Sequence, residues 1–148
     1  MVAETTRVAQ ALGVQPHVLE VQEPAVLPRV FATATAAGDG ALLVLPALLF
    51  RMHQPRLVAL AAEHRLPAIA WYASFAKGGG LLAYGPNLDD LSRRMASYVD
   101  RLLRGAKPAD LPIERPTRFE LVINLKTAEA LGLTLSPTLL FRADEVMR

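Results

Sequence analysis

The residues Lys77-Gly-Gly-Gly-Leu-Leu-Ala-Tyr-Gly-Pro-Asn-Leu-Asp-Asp-Leu91 combine a glycine turn, a short apolar strand and the beginning of a helix. Asn87 is a suitable N-cap, because its side-chain oxygen can accept a hydrogen bond from a free N–H of the first helical turn. The two aspartates that follow complement the positive end of the helix dipole. This pattern predicts a strand over residues 81–84 and a helix over residues 88–104, which Gly105 ends.

Strand-like and helix-like segments alternate through the rest of the chain. The run Ala41-Leu-Leu-Val-Leu45 has no polar alternation, which is typical of a strand covered on both faces in a parallel sheet. The alternation predicts an α/β fold with three layers, α/β/α, around a mainly parallel sheet. Further predicted strands cover residues 17–21, 68–71 and 119–123, and predicted helices cover 3–12, 24–37, 54–64, a short segment ending at Gly132, and 138–147.

The composition limits the classes of protein to which this chain can belong. The 148 residues suit one domain, and 52% of them are hydrophobic, so much apolar surface must enter a core or a partner interface. No run approaches the roughly 18 consecutive apolar residues of a membrane span, and the first residues, 1–7, lack the apolar region of an export signal. The absence of cysteine excludes thiol catalysis and disulfides. Mixed charges on the 88–104 helix favour a solvated face over a nucleic-acid partner.

The predicted 88–104 helix carries one apolar stripe, which needs a surface to lie against. Its basic C-terminal residues complement the helix dipole. Three prolines then keep residues 105–117 extended and stiff, as expected of a crossing segment. The stripe consists of Leu88, Leu91, Met95, Tyr98, Val99 and Leu102.

A set of short motifs, matched in order and spacing, resembles the substrate-binding proteins of ABC transporters, in the group with tryptophan- and tyrosine-binding members. Each motif alone is weak, and the ordered set carries the resemblance. The motifs are Ala11-Leu-Gly-Val14, Ala41-Leu-Leu-Val-Leu-Pro46, His64-Arg-Leu-Pro-Ala-Ile69, Gly79-Gly-Leu-Leu-Ala-Tyr-Gly-Pro-Asn87, Tyr98-Val-Asp100, Gly105-Ala-Lys-Pro-Ala-Asp-Leu-Pro112, Phe119-Glu-Leu-Val-Ile-Asn-Leu-Lys126 and Ala143-Asp-Glu145.

The resemblance implies a type I periplasmic binding protein, in which two α/β lobes close over a small ligand and present it to a permease. Residues 1–148 would form a single lobe, the C-terminal one, as part of a longer protein that is periplasmic or lipid-anchored outside the cell. It also implies that the helix spanning 87–105 packs on the second lobe or on another copy of the chain. The implied partners are a small amino-acid-like or aromatic ligand and an ABC permease, with no cofactor and no enzymatic activity.

The candidate ligand residues lie where the predicted parallel strands end, because ligands of open α/β sheets bind beyond the carboxyl ends of the strands. Trp71 and Tyr72 could stack on an aromatic or apolar ligand, and Ser74 could donate a hydrogen bond to a carboxylate. The alternative is that Trp71 only completes the core. Tyr84 is a ligand contact or a core or hinge residue, and the Gly85-Pro86 pair is the predicted hinge.

Ala47 is a departure from the family pattern. Related sequences often carry a polar or acidic residue just after this strand, suited to a ligand ammonium. Ala47 is followed by two leucines. This difference favours a less polar ligand, or none, over an amino acid. The alternative function is therefore a remnant that binds nothing small and self-associates through the Leu88–Leu102 helix as a structural module.

Enzymatic chemistry finds no support in the motifs. The glycines 78–80 precede a strand instead of following one and opening a helix, so they are typical of a turn and not of a phosphate loop. The three histidines, His17, His53 and His64, show no metal-ligand spacing. The sequence contains no Ser-His-Asp set whose serine lies on a nucleophile elbow.

Overall fold

The computed structural model describes all residues, Met1–Arg148. The helices are α1 Val2–Ala11, α2 Leu27–Ala37, α3 Leu48–Met52, α4 Gln54–Glu63, α5 Ala73–Lys77, α6 Leu88–Leu103, α7 Leu125–Ala130 and α8 Pro137–Phe141. The strands are β1 Leu42–Leu43, β2 Ala68–Ala70, β3 Leu82–Pro86, β4 Phe119–Asn124 and β5 Glu145–Met147. Short 3₁₀ turns occupy Pro24–Val26 and Pro108–Asp110.

The five strands form one sheet in the order β1-β2-β3-β4-β5. β1, β2 and β3 are parallel, β4 returns antiparallel to β3, and β5 is parallel to β4. The predicted α/β class and mainly parallel sheet are confirmed. The carboxyl ends of β1 and β2 therefore meet at one edge of the sheet, as the site prediction requires.

One face of the sheet carries most of the core. Ala70 of β2 is opposite Ala83 of β3, which is opposite Val122 of β4, so these side chains share a face. Phe75 and Ala76 of α5 pack against this face, and both are almost completely buried. The small residues on the strands let α5 lie close to the sheet. The larger core side chains come from α2 and α4: Leu27, Phe31, Leu57 and Leu60.

Strand prediction failed at the β1 edge. Residues 17–21 have no regular secondary structure, although Leu19 and Val21 pack against the core. β1 pairs with β2 alone, and it is only two residues long. Leu43 is 54% exposed, so the prediction of a strand covered on both faces is wrong. A strand at the edge of a sheet forms hydrogen bonds with a neighbour on one side only, which accounts for the short length of β1.

The C-terminal helix is shorter than predicted. Ser136 caps α8 as expected, accepting a hydrogen bond from the N–H of Leu139 at 3.2 Å. The helix ends at Phe141, however, and residues 145–147 form β5. The turn between them is fixed by Asp144, whose N–H donates to the Leu121 carbonyl oxygen and whose carboxylate accepts from the Leu121 N–H. These two bonds direct the chain into the sheet.

The predicted burial of α1 is also wrong. The helix lies at the predicted position, but it contains no buried residue. Val8 and Leu12, predicted to face inward, are 43% and 75% exposed. Amphipathic spacing alone marks which side of a helix could be covered, and not whether a neighbour is present. No helix of the chain combines the length and the apolar character needed to cross a membrane.

Helix α6 has the predicted ends and caps. The side-chain oxygen of Asn87 accepts a hydrogen bond from the Asp90 N–H at 2.8 Å, and Gly105 adopts a φ of +96°. The Asn87 amide also donates to the Glu120 carboxylate, which ties the start of the helix to β4. No residue of α6 is buried. Its apolar stripe is thus not covered by the sheet.

The contacts that α6 does make are with the proline-rich segment that follows it. The Arg94 guanidinium bonds Glu114 and Thr117, and the Tyr98 hydroxyl donates to the Pro112 carbonyl oxygen. Desolvation of the Tyr98 phenol, together with the Glu114 carboxylate, raises the pKa of Tyr98 above its ordinary value. These bonds hold one side of α6. The side bearing Met95 and Leu103 stays exposed, at 65% and 84%.

The total accessible surface agrees with this incomplete covering. The chain exposes 10145 Å², whereas a folded monomer of this mass is expected to expose about 7,400 Å². Only 19 of the 148 residues are buried. Elements without a single buried residue, among them α1, α6 and residues 105–117, contribute to this excess. The chain therefore presents more surface than is expected of a folded monomer of its mass.

Candidate functional site

A shallow hollow lies beyond the carboxyl ends of β1 and β2. Residues 44–47, which follow β1, form one wall, and residues 71–72, which follow β2, form the other. Phe50 and Leu57 from α3 and α4 and Phe75 from α5 make the floor and sides apolar. Its position is the one that the topology of open α/β sheets predicts for a ligand.

Trp71 and Tyr72 supply the aromatic part of the hollow. Their ring centroids are 6.3 Å apart with an interplanar angle of 49°. Trp71 is 37% exposed, which is unusual for so large an apolar ring. It does not complete the core, because the core beneath the sheet is filled by Phe75 and its neighbours. The ring is therefore available at the surface of the hollow.

Ser74 does not line the hollow, and its hydroxyl already has a partner. It donates to the Gln54 side-chain oxygen at 3.2 Å. The amide nitrogen of Gln54 is enclosed by protein atoms and has no hydrogen-bond partner. A buried amide donor without a partner costs about 1–3 kcal/mol.

Arg51 places a positive charge at the same site. Its guanidinium carbon lies 5.3 Å from the centre of the Tyr72 ring, within the range of a cation–π contact. Arg51 belongs to none of the ion pairs in the chain. No aspartate or glutamate lines the hollow. The electrostatics of this wall therefore favour an anionic group.

Of the other predicted residues, Ala47 lines the hollow and Tyr84 does not. Ala47 is the extended residue that caps α3, and it leaves its part of the wall apolar. Tyr84 stacks on Phe119, with centroids 5.9 Å apart and planes at 26°, and it is 56% exposed. It is a surface residue of the sheet near the crossing to β4, so the core alternative is excluded, and its role as a ligand contact stays a prediction.

The predicted hinge residues lie inside β3. Gly85 is opposite Glu120, and Pro86 is opposite Phe119, in the antiparallel pair with β4. Gly85 also lies directly against the Trp71 backbone, where a Cβ atom would meet the Trp71 carbonyl oxygen. The absence of a side chain at this position lets β3 pass the aromatic wall of the hollow. Gly85 thus links the crossing strand to the candidate ligand residues.

Sequence reasoning missed Arg51 and Gln54. The sequence pattern predicts no helix between residues 46 and 53, whereas residues 48–52 form the short helix α3. α3 and the first turn of α4 place Arg51 and Gln54 on the wall of the hollow, three positions apart. An arginine and a glutamine between two apolar runs were the available signal.

Comparison with known proteins assigns the family. A sequence model described as ABC transporter substrate binding protein matches residues 1–147. The chain belongs to this family. The hollow described above is the candidate ligand site of this ABC transporter substrate binding protein. No group of three or more histidine, cysteine or acidic side chains is placed to hold a metal ion.

Solved structures share the fold of this ABC transporter substrate binding protein. The ABC domain from Streptococcus pneumonia, in complex with L-Trp, has a TM-score of 0.89 at 24% identity over 99% of this chain. A conserved domain protein from Vibrio cholerae has a TM-score of 0.88 at 20% identity over 98% of this chain. The ligand-free, open structure of a substrate binding protein with adhesive properties from Clostridium difficile has a TM-score of 0.69 at 18% identity over 99%.

The chain spans about half the length of these solved proteins, covering 50%, 49% and 48% of them in the same order. No curated protein matches the chain.

Proposed function

We propose that this chain is one ligand-binding lobe of an ABC-importer substrate-binding protein. It would hold a small amino-acid-like or aromatic molecule reversibly by hinge closure and leave it covalently unchanged. The observation that carries the proposal is the partly exposed Trp71–Tyr72 pair in an apolar hollow at the carboxyl ends of two parallel strands. The L-Trp complex of the structural neighbour from Streptococcus pneumonia supports the ligand class.

Closure would use the crossing between β3 and β4. Gly85 and Pro86 are the hinge residues in this proposal, because they lie where β3 leaves the hollow and the chain enters α6. The uncovered stripe of α6 would pack on the second lobe. Movement of the two lobes would then bury the ligand between them, with Tyr84 and Phe119 near the crossing.

The proposed partners follow from the family. The whole protein would present its ligand to an ABC permease, and it would act in the periplasm or, lipid-anchored, on the outside of the cell. No residue set in the hollow combines a nucleophile with a base, so we propose binding without catalysis.

Loss of the Trp71 ring is expected to weaken ligand binding at least tenfold. Removing an indole from an apolar wall takes away both buried area and aromatic stacking. Isothermal titration of the chain and of Trp71→Ala with L-tryptophan and branched amino acids measures the effect. Phe141→Ala is the matched control, because Phe141 is 92% exposed and does not line the hollow. If none of these ligands gives heat with the unmodified chain, the binding proposal is wrong and a non-binding module is favoured.

We also propose that the α6 stripe pairs with a second copy of the chain when no second lobe covers it. The expected result is a dimer or larger species in analytical ultracentrifugation, because exposed apolar surface of this extent favours association. Met95→Glu should shift the chain toward monomer, whereas Ser97→Glu, on the same helix but outside the stripe, should not. A strictly monomeric unmodified chain contradicts this proposal.

A further inference from the structure

We infer that Arg51 binds a carboxylate of the ligand, so that the site takes an amphiphilic molecule with an apolar or aromatic body and an anionic end directed at this lobe. The inference rests on the proposed function, since it assumes that the hollow receives a ligand. It assigns a specificity role to a residue that the predicted site did not include, and it gives the ligand an orientation.

The first argument for a carboxylate at Arg51 is the charge of the hollow. Arg51 is the only ionised side chain that lines it, and it is not neutralised by any carboxylate of the chain. A ligand ammonium would find no counter-charge on this wall, since Ala47 occupies the position after β1. A ligand carboxylate would find a guanidinium, whose planar fork suits it.

The geometry carries the second step. The guanidinium lies over the Tyr72 ring, and that ring is paired with Trp71. The cation is thus held at the border of the aromatic wall. An apolar body lying along the rings would bring its anionic end to the Arg51 guanidinium.

Arg51 has a second possible role, as a cation in the last turn of α3 that complements the helix dipole. That role affects stability and has no influence on which ligand is preferred. The test therefore has to measure discrimination between two ligands that differ only in charge, and not affinity or stability alone.

L-tryptophan and L-tryptophan amide form such a pair, compared at about pH 6, where the α-amino groups of both are protonated. Isothermal titration of the unmodified chain should give at least tenfold tighter binding of L-tryptophan. In Arg51→Gln this preference should disappear, and in Arg51→Lys it should be reduced, because the charge remains without the bidentate fork. Arg56→Gln removes the same charge from a residue of α4 that does not line the hollow, and it should keep the preference.

The outcomes separate this inference from the proposed function. Equal binding of both ligands by the unmodified chain, or an unchanged preference in Arg51→Gln, overturns the role of Arg51 while leaving ligand binding in place. Binding of neither ligand overturns the proposed function, and this inference with it. Loss of preference in Arg56→Gln as well would show a general charge effect, and that also overturns the assignment to Arg51.

Discussion

Replacing Phe75 with alanine is expected to lower the free energy of unfolding by about 3–5 kcal/mol. Phe75 is among the largest fully buried side chains, at 2% exposure, and it joins α5 to the core formed by α2, α4 and β2. Its ring also fills the space beside Gly80, where a Cβ atom would collide with it. Truncation would therefore leave a cavity that rigid strands and helices cannot close.

The measurement is urea unfolding followed by circular dichroism. An entire small domain is stabilised by about 5–15 kcal/mol, so the loss should shift the transition strongly or leave the variant unfolded at room temperature. Phe141→Ala is the control for the same chemical change at a 92% exposed position, and it should alter stability by less than about 0.5 kcal/mol. Similar transitions for both variants would show that α5 does not anchor the core.

Elements with local signals could be predicted from the sequence. Helix α6 is the clearest example, because its cap, its charged ends and its terminating glycine all lie within the helix or next to it. The β2 and β3 strands were also placed within one or two residues. In each case the interactions that form the element involve residues close together in the chain.

Elements that depend on distant partners could not be predicted in the same way. Residues 17–21 have the composition of a strand, but no neighbouring strand pairs with them. Residues 145–147 continue a helical pattern, and yet the Asp144–Leu121 bonds bring them into the sheet. Pairing energy belongs to two segments at once, so neither segment alone reveals it.

The candidate site contains residues that could be predicted from the sequence and residues that could not. The rule that ligands lie beyond strand ends was enough to select Trp71 and Tyr72, since it needs only strand order and composition. Arg51 and Gln54 could be assigned to the site only once the position of α3 was known, and no local motif predicts that position. The contact between Gly85 and Trp71 could not be predicted from the sequence, because these residues are brought together only by the register of β2 and β3.

That contact leads to the second large effect, which is expected for Gly85→Ala. The added methyl group would overlap the Trp71 carbonyl oxygen and approach the indole ring. The carbonyl oxygen is backbone, so it cannot turn away as a flexible side chain would. Overpacking of this kind typically costs about 1–3 kcal/mol, and relief would require the Trp71 segment and β3 to separate. We therefore expect Gly85→Ala both to lower the stability of the protein and to weaken its binding of L-tryptophan.

Trp71 is the single tryptophan of the chain, so its fluorescence reports this site directly. Gly85→Ala should change the emission of the folded protein and lower its urea midpoint, while Gly40→Ala should change neither, since nothing lies within 4 Å of a Cβ added at Gly40. If Gly85 serves only as a flexible hinge, the alanine variant should keep the stability and emission of the unmodified chain and alter ligand closure alone. Such a result would contradict the packing role of Gly85. A shift in both readouts would instead show that the crossing strand and the aromatic wall form one rigid unit.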